Sequence, residues 1–258
     1  MKKIFFILII ILLKNNIYAM EENNIVIAAH SRPPFFIYEK NTNAPYDGDL
    51  YNLVVKIFTE AKIPYEFREM PLLRSFQQIK MNQIKICSPF AFKNKDRVSY
   101  SLFSKSYFQD KKMVVLYKKN SDKFKNINTL KELILNHNFK ILVKVGYSYG
   151  VYFDDLMRKH KNFDNSVFKA SPASNIVLTS ADNIEMFYNI IHDKADYLLV
   201  GRNEGEYLLK MNQDFNLNLE IKDLEDVPSG EKRYLMCSYK VGNDIIAKIN
   251  KQIDQLKN

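Results

Sequence analysis

The sequence predicts an α/β protein built as two lobes, each a mainly parallel sheet flanked by helices. Short apolar strands alternate with amphipathic helical segments, and this alternation runs through two successive series along the chain. Each series has too few strands for one large sheet. The 258-residue length leaves room for two medium-sized domains with a cleft between them.

The first 19 residues have the three-part plan of a secretory signal peptide. Lys2 and Lys3 precede an apolar run from Ile4 to Leu13, and a short polar stretch ends at Ala19. The apolar run is too short to span a bilayer, although an uncleaved anchor is the alternative. We therefore expect cleavage after Ala19 and export to the periplasm.

Composition argues for a globular protein without nucleic-acid or metal partners. Hydrophobic residues make up 47% and charged residues 26% of the chain, and the formal charge of +9 comes from scattered lysines. No basic stripe or nucleic-acid motif is present. The four histidines are dispersed and neither CxxC nor HExxH occurs, so we expect no metal and no cofactor. Two cysteines in an oxidising compartment suggest a disulfide, with buried free thiols as the alternative.

The first series reads β-α-β-α-β. Apolar spacing of i, i+3, i+4 and i+7 after Asp49 indicates a helix with one buried face. Pro33 and Pro34 place a loop between the first strand and that helix. The strands are 24–29, 65–69 and 84–90, and the second helix is 72–82.

The second series repeats the pattern in kind, and a last strand and helix end the chain. Its strands are 113–117, 139–145, one near Val167, and 195–201; its helices are 128–137, one through Met157, 180–193 and 205–211; the final strand is 233–239. Ligands of open α/β sheets bind outside the carboxyl ends of the strands. That rule selects the loops 30–38, 88–97, 146–150 and 201–206.

Several short phrases in this order resemble the periplasmic substrate-binding proteins of ABC importers, in particular the amino-acid-type family, family 3. The resemblance covers the exported chain, and it rests on order and spacing more than on any one motif. The phrases are PPF (33–35), GDLYNLVVKIF (48–58), Pro71 to Arg74, IKICSPF (84–90) followed by Arg97, LFSKSYF (102–108), KVGYSYG (144–150) and DNIEMFYNIIHDKADYLL (182–199).

The resemblance implies a periplasmic-binding-protein-like fold of type II. Lobe 1 would comprise 20–108 and 226–258, and lobe 2 would comprise 109–225. Crossing segments near 108–112 and 223–232 would act as hinges that let the lobes close on a small ligand. We then expect a monomer whose partners are a small-molecule ligand and the membrane permease of an ABC importer.

Two elements would hold the ligand's carboxylate. Arg97 occupies the place where the family carries an arginine before an FS-x-PY-like phrase, here Phe103 to Tyr107, and a guanidinium fork fits a carboxylate. The alternative is a surface arginine. In the second lobe, 146–150 would present free backbone N–H groups, with Tyr147 and the Ser148 hydroxyl beside them. The alternative there is an ordinary helix start.

Other positions are candidates with open alternatives. Phe35 would stack on the ligand's flat or apolar part. Arg74 would either face the cleft or form an ion pair with Glu69 or Asp49. Ser88 and Phe90, at the end of the third strand, would line the site.

The chain also departs from the family pattern. Amino-acid binders carry hydroxyl residues where Phe90, Ala91 and Phe92 stand, and an aspartate near the place of Gly201 that pairs with the ligand's ammonium. Glu204 is a nearby acid that could reach the cleft, or it could simply begin a helix. The ligand is therefore expected to be an amino acid, a carboxylate without an amine, or another polar solute.

The resemblance also has implications for the pairing of the two cysteines and for alternative functions. The returning strand 233–239 should lie antiparallel beside 84–90, which would place Cys87 next to Cys237. Some relatives are enzymes of the dehydratase type, and others present ligands to sensors. We expect this chain not to be an enzyme.

Overall fold

The computed structural model describes residues 24–39, 42, 44–163 and 175–257. The chain divides into two compact units: unit 1 holds the chain up to Ser31, Tyr38–Tyr107 and Tyr234–Asn258, and unit 2 holds Arg32–Ile37 and Phe108–Arg233. These boundaries differ from the sequence-based lobes, which placed 32–37 and 226–233 in the first lobe. The signal segment 1–19 and the strand expected near Val167 lie outside the described residues.

Unit 1 contains the first series of elements and the end of the chain. Its strands are β1 (Ile25–Ala29), β3 (Pro45–Asp47), β4 (Tyr65–Glu69), β5 (Ile86–Ala91) and β6 (Leu102–Phe103), and the short strand β2 (Ile37–Tyr38) pairs with β3. Its helices are α1 (Asp49–Glu60), α2 (Leu72–Met81), α3 (Lys95–Val98) and α9 (Asn243–Gln255), with a 3-10 turn at Tyr239–Val241.

The main sheet of unit 1 has the order β4-β1-β5-β13-β6, where β13 is Lys232–Cys237. β1 runs parallel to β4 and β5, whereas β13 runs antiparallel to β5 and β6. The start of β13 belongs to unit 2, where Arg233 pairs with Phe108 of β7 (Phe108–Gln109). The expected antiparallel pairing of the returning strand with the third strand is therefore confirmed.

A disulfide joins β5 to β13. Cys87 and Cys237 are register partners in the ladder, their Cα atoms are 4.0 Å apart, and both side chains are fully buried. The bridge that the sequence suggested is present in the structure, and buried free thiols are excluded.

Unit 2 contains the second series. Its strands are β7, β8 (Met113–Lys118), β9 (Ile141–Lys144), β10 (Ile176–Thr179), β11 (Tyr197–Gly201) and β12 (Leu219–Lys222). Its helices are α4 (Leu130–Leu135), α5 (Val151–Lys161), α6 (Asn183–Ile191), α7 (Arg202–Met211) and α8 (Gln213–Asn218), with a 3-10 turn at Asp122–Phe124.

The sheet of unit 2 has the order β10-β9-β11-β8-β12. β9, β10 and β11 are parallel, whereas β8 runs antiparallel to β11 and β12. The fold class predicted from the sequence is confirmed, with the refinement that one strand of each main sheet, β13 in unit 1 and β8 in unit 2, runs opposite to the other four.

Both faces of the unit 2 sheet are covered, which explains its nearly continuous apolar strands. Successive side chains of a strand point to opposite faces. Val115 and Tyr117 lie in a core cluster with residues of α4 and α5, whereas Val114 and Leu116 lie in a second cluster with residues of α6, α7 and α8. The carboxyl edge of this sheet carries two of the loops that the sequence selected, 146–150 after β9 and 201–206 after β11.

In the described part of the chain, we find no helix with both the length and the apolar character needed to cross a membrane. Likewise, no group of three or more His, Cys, Asp or Glu side chains gathers there as metal ligands would.

Candidate functional site

The parallel strands of unit 2 bring several polar side chains to one edge. β9 ends at Lys144, β10 at Thr179 and β11 at Gly201, and because the three strands are parallel these ends share the carboxyl edge of the sheet. The segments that follow carry Tyr147, Asn183 and Glu204. This edge is where open α/β sheets bind small molecules. We call Arg32, Lys144, Tyr147, Asn183 and Glu204 the carboxyl-edge cluster.

An ion pair between Arg32 and Glu204 lies at the centre of the cluster. The Arg32 Nε donates to Glu204 Oε1 at 2.7 Å and its Nη2 donates to Oε2 at 2.8 Å, so the contact is bidentate. The Asn183 amide donates to Glu204 Oε1 at 2.8 Å. The Glu204 side chain is 2% exposed and that of Arg32 is 13% exposed. Burial lowers the pKa of Arg32, but the Glu204 carboxylate, together with Tyr147 and Asp110, outweighs this effect, and the net shift is upward.

Tyr147 lies between two cations. The Arg32 guanidinium is 5.2 Å and the Lys144 ammonium is 4.7 Å from the centre of the Tyr147 ring, which are cation-π distances. Burial, followed by repulsion from Arg32, lowers the pKa of Lys144 to about 8. Burial also raises the pKa of the Tyr147 hydroxyl.

The loop 146–150 uses its amide groups differently from the prediction. The Tyr149 N–H donates to Asp154 Oδ1 at 3.1 Å, the Gly150 N–H to the Ser148 hydroxyl at 3.3 Å, and the Val151 N–H to Glu231 Oε1 at 3.3 Å. The Ser148 hydroxyl in turn donates to Asp154 Oδ2. The expectation of free N–H groups is wrong at Tyr149 and Gly150, because a carboxylate and a hydroxyl of the chain itself already accept from them.

A glycine is required at position 150. Its φ of 98° lies in the left-handed region, and a Cβ there would come within 3.3 Å of Glu231 Oε1. The loop is held further by the Tyr149 hydroxyl, which accepts from the Lys144 N–H at 2.8 Å. Ser148 and Tyr147 therefore belong to a tightly bonded turn at the carboxyl edge, and their contact with a ligand stays a prediction.

The segment Arg32–Ile37 supplies unit 2 with a charged and an aromatic side chain. Arg32 pairs with Phe36 in an isolated bridge, and the Phe35 N–H donates to the Arg32 carbonyl at 2.9 Å. Phe35 is 2% exposed and packs edge-on against Phe108 with ring centres 5.7 Å apart. The stacking of Phe35 on a ligand stays a prediction.

A second buried ion pair lies at the start of β13. Arg233 contacts Asp110 through two nitrogens, with Nη2 2.5 Å from Oδ2, and both side chains are 7% exposed. Burial lowers the pKa of Arg233 to about 10, although Asp110 opposes the shift. Asp110 and Arg233 each lie close in sequence to a unit boundary, since the chain enters unit 2 at Phe108 and leaves it after Arg233. The ion pair therefore links the two ends of this segment.

In unit 1, Arg97 is buried near the end of β5. It lies in the short helix α3, and the Asn94 side chain caps this helix by accepting from the Arg97 N–H. Arg97 is only 8% exposed. The guanidinium donates from Nη1 to the Phe92 carbonyl at 3.0 Å and lies 4.5 Å from the centre of the Phe76 ring. The alternative of a surface arginine is excluded, and its contact with a carboxylate stays a prediction.

The remaining candidates also lie in unit 1. Ser88 and Phe90 are buried in β5, where Ser88 is the register partner of Met236. Arg74 is exposed on α2. Among the described residues it forms no ion pair with Glu69 or Asp49, so the structural alternative for Arg74 is not supported.

Sequence reasoning missed Arg32, Asn183 and Lys144. Arg32 stands directly before Pro33 in a loop that the strand-end rule had selected, and this was its only signal. Its acidic partner is 172 residues away, so no local spacing could reveal the pair.

The fold is that of the two-lobed solute-binding proteins. The family model of the bacterial extracellular solute-binding proteins, family 3, matches residues 25–258, and the chain belongs to this family. The family resemblance that the sequence phrases suggested is thereby confirmed. A search of curated proteins found no match.

Solved structures share the fold at low sequence identity. An ancestral arginine-binding protein bound to arginine has a TM-score of 0.69 and 16% identity, over 91% of this chain and 92% of that chain. Holo ArgBP from T. maritima has a TM-score of 0.67 and 18% identity, over 95% and 94%. The arginine-, lysine-, histidine-binding protein ArtJ from Geobacillus stearothermophilus has a TM-score of 0.68 and 14% identity, over 91% and 90%.

Proposed function

We propose that the protein is an exported receptor that captures a small carboxylate-bearing solute and delivers it to an ABC importer. The observation that carries the proposal is the buried guanidinium of Arg97 near the carboxyl end of β5. Membership of the solute-binding family supports the receptor role. Arg97 would grip the carboxylate, and the carboxyl edge of unit 2 would contact the rest of the solute.

The surroundings of Arg97 suit carboxylate recognition. The Phe92 carbonyl and the Phe76 ring hold the guanidinium in one orientation. A planar fork that is already oriented loses little entropy when it binds a carboxylate, and it stays charged at any physiological pH. A charge-assisted, two-point contact of this kind is among the stronger hydrogen-bonded interactions in proteins.

The remaining parts of the proposal follow from the sequence resemblance. The signal segment would direct export to the periplasm, where the mature chain acts as a monomer. The two units would close on the solute, because a solute that contacts both stabilises the closed state. The closed form would then dock on the membrane permease. No catalytic step is part of this proposal.

The test is a thermal-shift screen of protein secreted from the full-length gene and purified from the exported fraction. The panel contains arginine, lysine, histidine, glutamine and small organic acids. A solute that binds the folded state raises the melting temperature, by linkage. The binding constant of each hit is then measured by calorimetry.

Variants of Arg97 decide its role. Arg97→Ala should abolish the shift caused by any carboxylate, and Arg97→Lys should restore only part of it because an ammonium cannot form the two-point contact. Arg68→Ala is the matched control, since Arg68 is an exposed arginine of unit 1 that pairs with Glu66. Full affinity in Arg97→Ala would overturn the proposed role of this residue.

A further inference from the structure

The acidic group at the carboxyl edge of unit 2 is already neutralised by the chain itself. Both oxygens of Glu204 accept from Arg32, and Oε1 also accepts from Asn183. The bidentate geometry is the one that best matches a guanidinium to a carboxylate. A positively charged group of a solute would therefore have to displace Arg32 or approach it against like-charge repulsion.

The charge balance of the whole cluster points the same way. Beside the Arg32–Glu204 pair, Lys144 brings a further cation to the Tyr147 ring. The carboxylates of Asp182 and Glu204 both act on Lys144, and Asp182 is exposed and accepts from the Glu185 N–H as a helix cap. Burial, followed by repulsion from Arg32, lowers the pKa of Lys144. A cationic group of a solute at the Tyr147 ring would approach two cations of the chain, Arg32 and Lys144.

We propose that Arg32 is a specificity-determining residue: by occupying Glu204 it makes the carboxyl edge of unit 2 select carboxylic acids that lack an ammonium or guanidinium group. The inference deepens the proposed function and rests on it. Arg97 recognises the carboxylate, and Arg32 takes the place that a solute's own cation would otherwise fill. Arg32 acts on the solute through Glu204 and through its own charge.

The test compares matched pairs of solutes that differ by one ammonium group. Glutarate is paired with glutamate, and succinate with aspartate; arginine and lysine serve as cationic solutes. Dissociation constants are measured by calorimetry for the wild-type protein. The amine-free member of each pair should bind at least tenfold more tightly than its amino-acid counterpart, and the cationic solutes should bind most weakly.

The Arg32→Ala variant should shift this preference. With Glu204 released, the ratio of affinities should move by at least tenfold towards the ammonium-bearing member of each pair. The double variant Arg32→Ala/Glu204→Gln should cancel that shift, because the uncompensated carboxylate is gone. A double variant that keeps the shift would overturn the assignment to Glu204.

The wild-type ranking decides the matter even if Arg32→Ala fails to fold. Tighter binding of glutamate than of glutarate, with an effect of Arg97→Ala on both, would overturn the inference while the proposed function stands. If no member of the panel binds, the proposed function fails and the inference fails with it. Arg202→Ala is the control and should leave the ranking unchanged, because Arg202 lies on the same helix as Glu204, is half-buried and pairs with Asp223 instead.

Discussion

At the scale of single residues, burial and a neighbouring cation make the charged form of Lys144 unfavourable. Burial and the neighbouring Arg32 guanidinium lower its pKa to about 8 from an ordinary value of 10.5, although Asp182 and Glu204 partly oppose the shift. Between these two pH values the unfolded chain binds a proton that the folded chain has released. Stability must therefore rise with pH in this window, and below it the folded chain carries the full cost of the charge.

The replacement Lys144→Met tests this linkage, because methionine keeps a long, flexible side chain without the charge. We expect the variant to exceed the wild type in free energy of unfolding at pH 7, and the difference to shrink as the pH rises from 8 to 10. Denaturant unfolding at several pH values measures it. Lys140→Met, at an exposed position just before β9, corrects for the loss of a lysine. A difference that grows with pH would contradict the prediction.

Which single residues could be predicted depended on whether their signal was local. Arg97, Tyr147 and Glu204 stand at the ends of apolar strands, where reading along the chain finds them. The structure adds that both Tyr147 and Glu204 contact Arg32, the first through its ring and the second through an ion pair. No residue near Arg32 in sequence indicates its ion pair, because its partner Glu204 is 172 residues away and only folding brings the two together.

At the scale of elements, the turn before α5 depends on one carboxylate. Asp154, in the first turn of the helix, accepts from the Tyr149 N–H and from the Ser148 hydroxyl. An acidic side chain at a helix N-terminus also interacts favourably with the helix dipole. The conformation of the whole segment 146–150 therefore rests on contacts that a sequence pattern cannot show.

Asp154→Ala should lower the free energy of unfolding by about 1 kcal/mol, the usual net loss when a side-chain hydrogen bond is removed. If the turn contacts the solute, affinity should fall as well, because the turn loses its fixed shape. Asp155→Ala is the matched control, since Asp155 is exposed and pairs only at the surface with Arg158. Chemical denaturation and calorimetry of both variants measure the effects, and equal losses for the two aspartates would refute the special role of Asp154.

The elements that the sequence predicted are those with a strong apolar pattern. Strands β1, β5, β8 and β11 are nearly all buried, so composition alone marked them. The strands that were missed are short, such as β6 and β7 with two residues each, or mix polar and apolar residues, as in β12. Their pairing depends on neighbours in the sheet, which local propensity does not encode.

At the scale of the whole molecule, the disulfide closes a very long loop. Cys87 and Cys237 are 150 residues apart, and the loop contains the whole of Phe108–Arg233. In the chain-entropy model, a cross-link over such a distance stabilises the folded state by about 5 kcal/mol as an upper estimate. The bridge therefore acts chiefly on the unfolded chain.

The double variant Cys87→Ala/Cys237→Ala should lose a large part of that stabilisation. We expect its unfolding midpoint in guanidinium chloride to fall clearly below that of the oxidised wild type, and reduced wild type to behave like the variant. Solute affinity should change little at temperatures where the variant is folded, because neither sulfur is among the groups proposed to contact the solute. Equal midpoints for oxidised protein and variant would show that the bridge does not stabilise the fold.

At this scale, family membership could be predicted from the sequence. The order and spacing of several short motifs indicated the family, although no single motif is distinctive. The assignment of 32–37 to unit 2 could not be reached in this way. That segment precedes the first helix of unit 1, and its position follows from the contacts of Arg32 and Phe35 with residues far along the chain.

The bridge between β5 and β13 also decides what a protease can do to this receptor. A nick at any peptide bond between the two half-cystines leaves both fragments tied by the sulfur link. Such a cut molecule would run as one band on a non-reducing gel and as two after reduction. The protein can thus be cleaved in a surface loop between the two cysteines without shedding part of its chain.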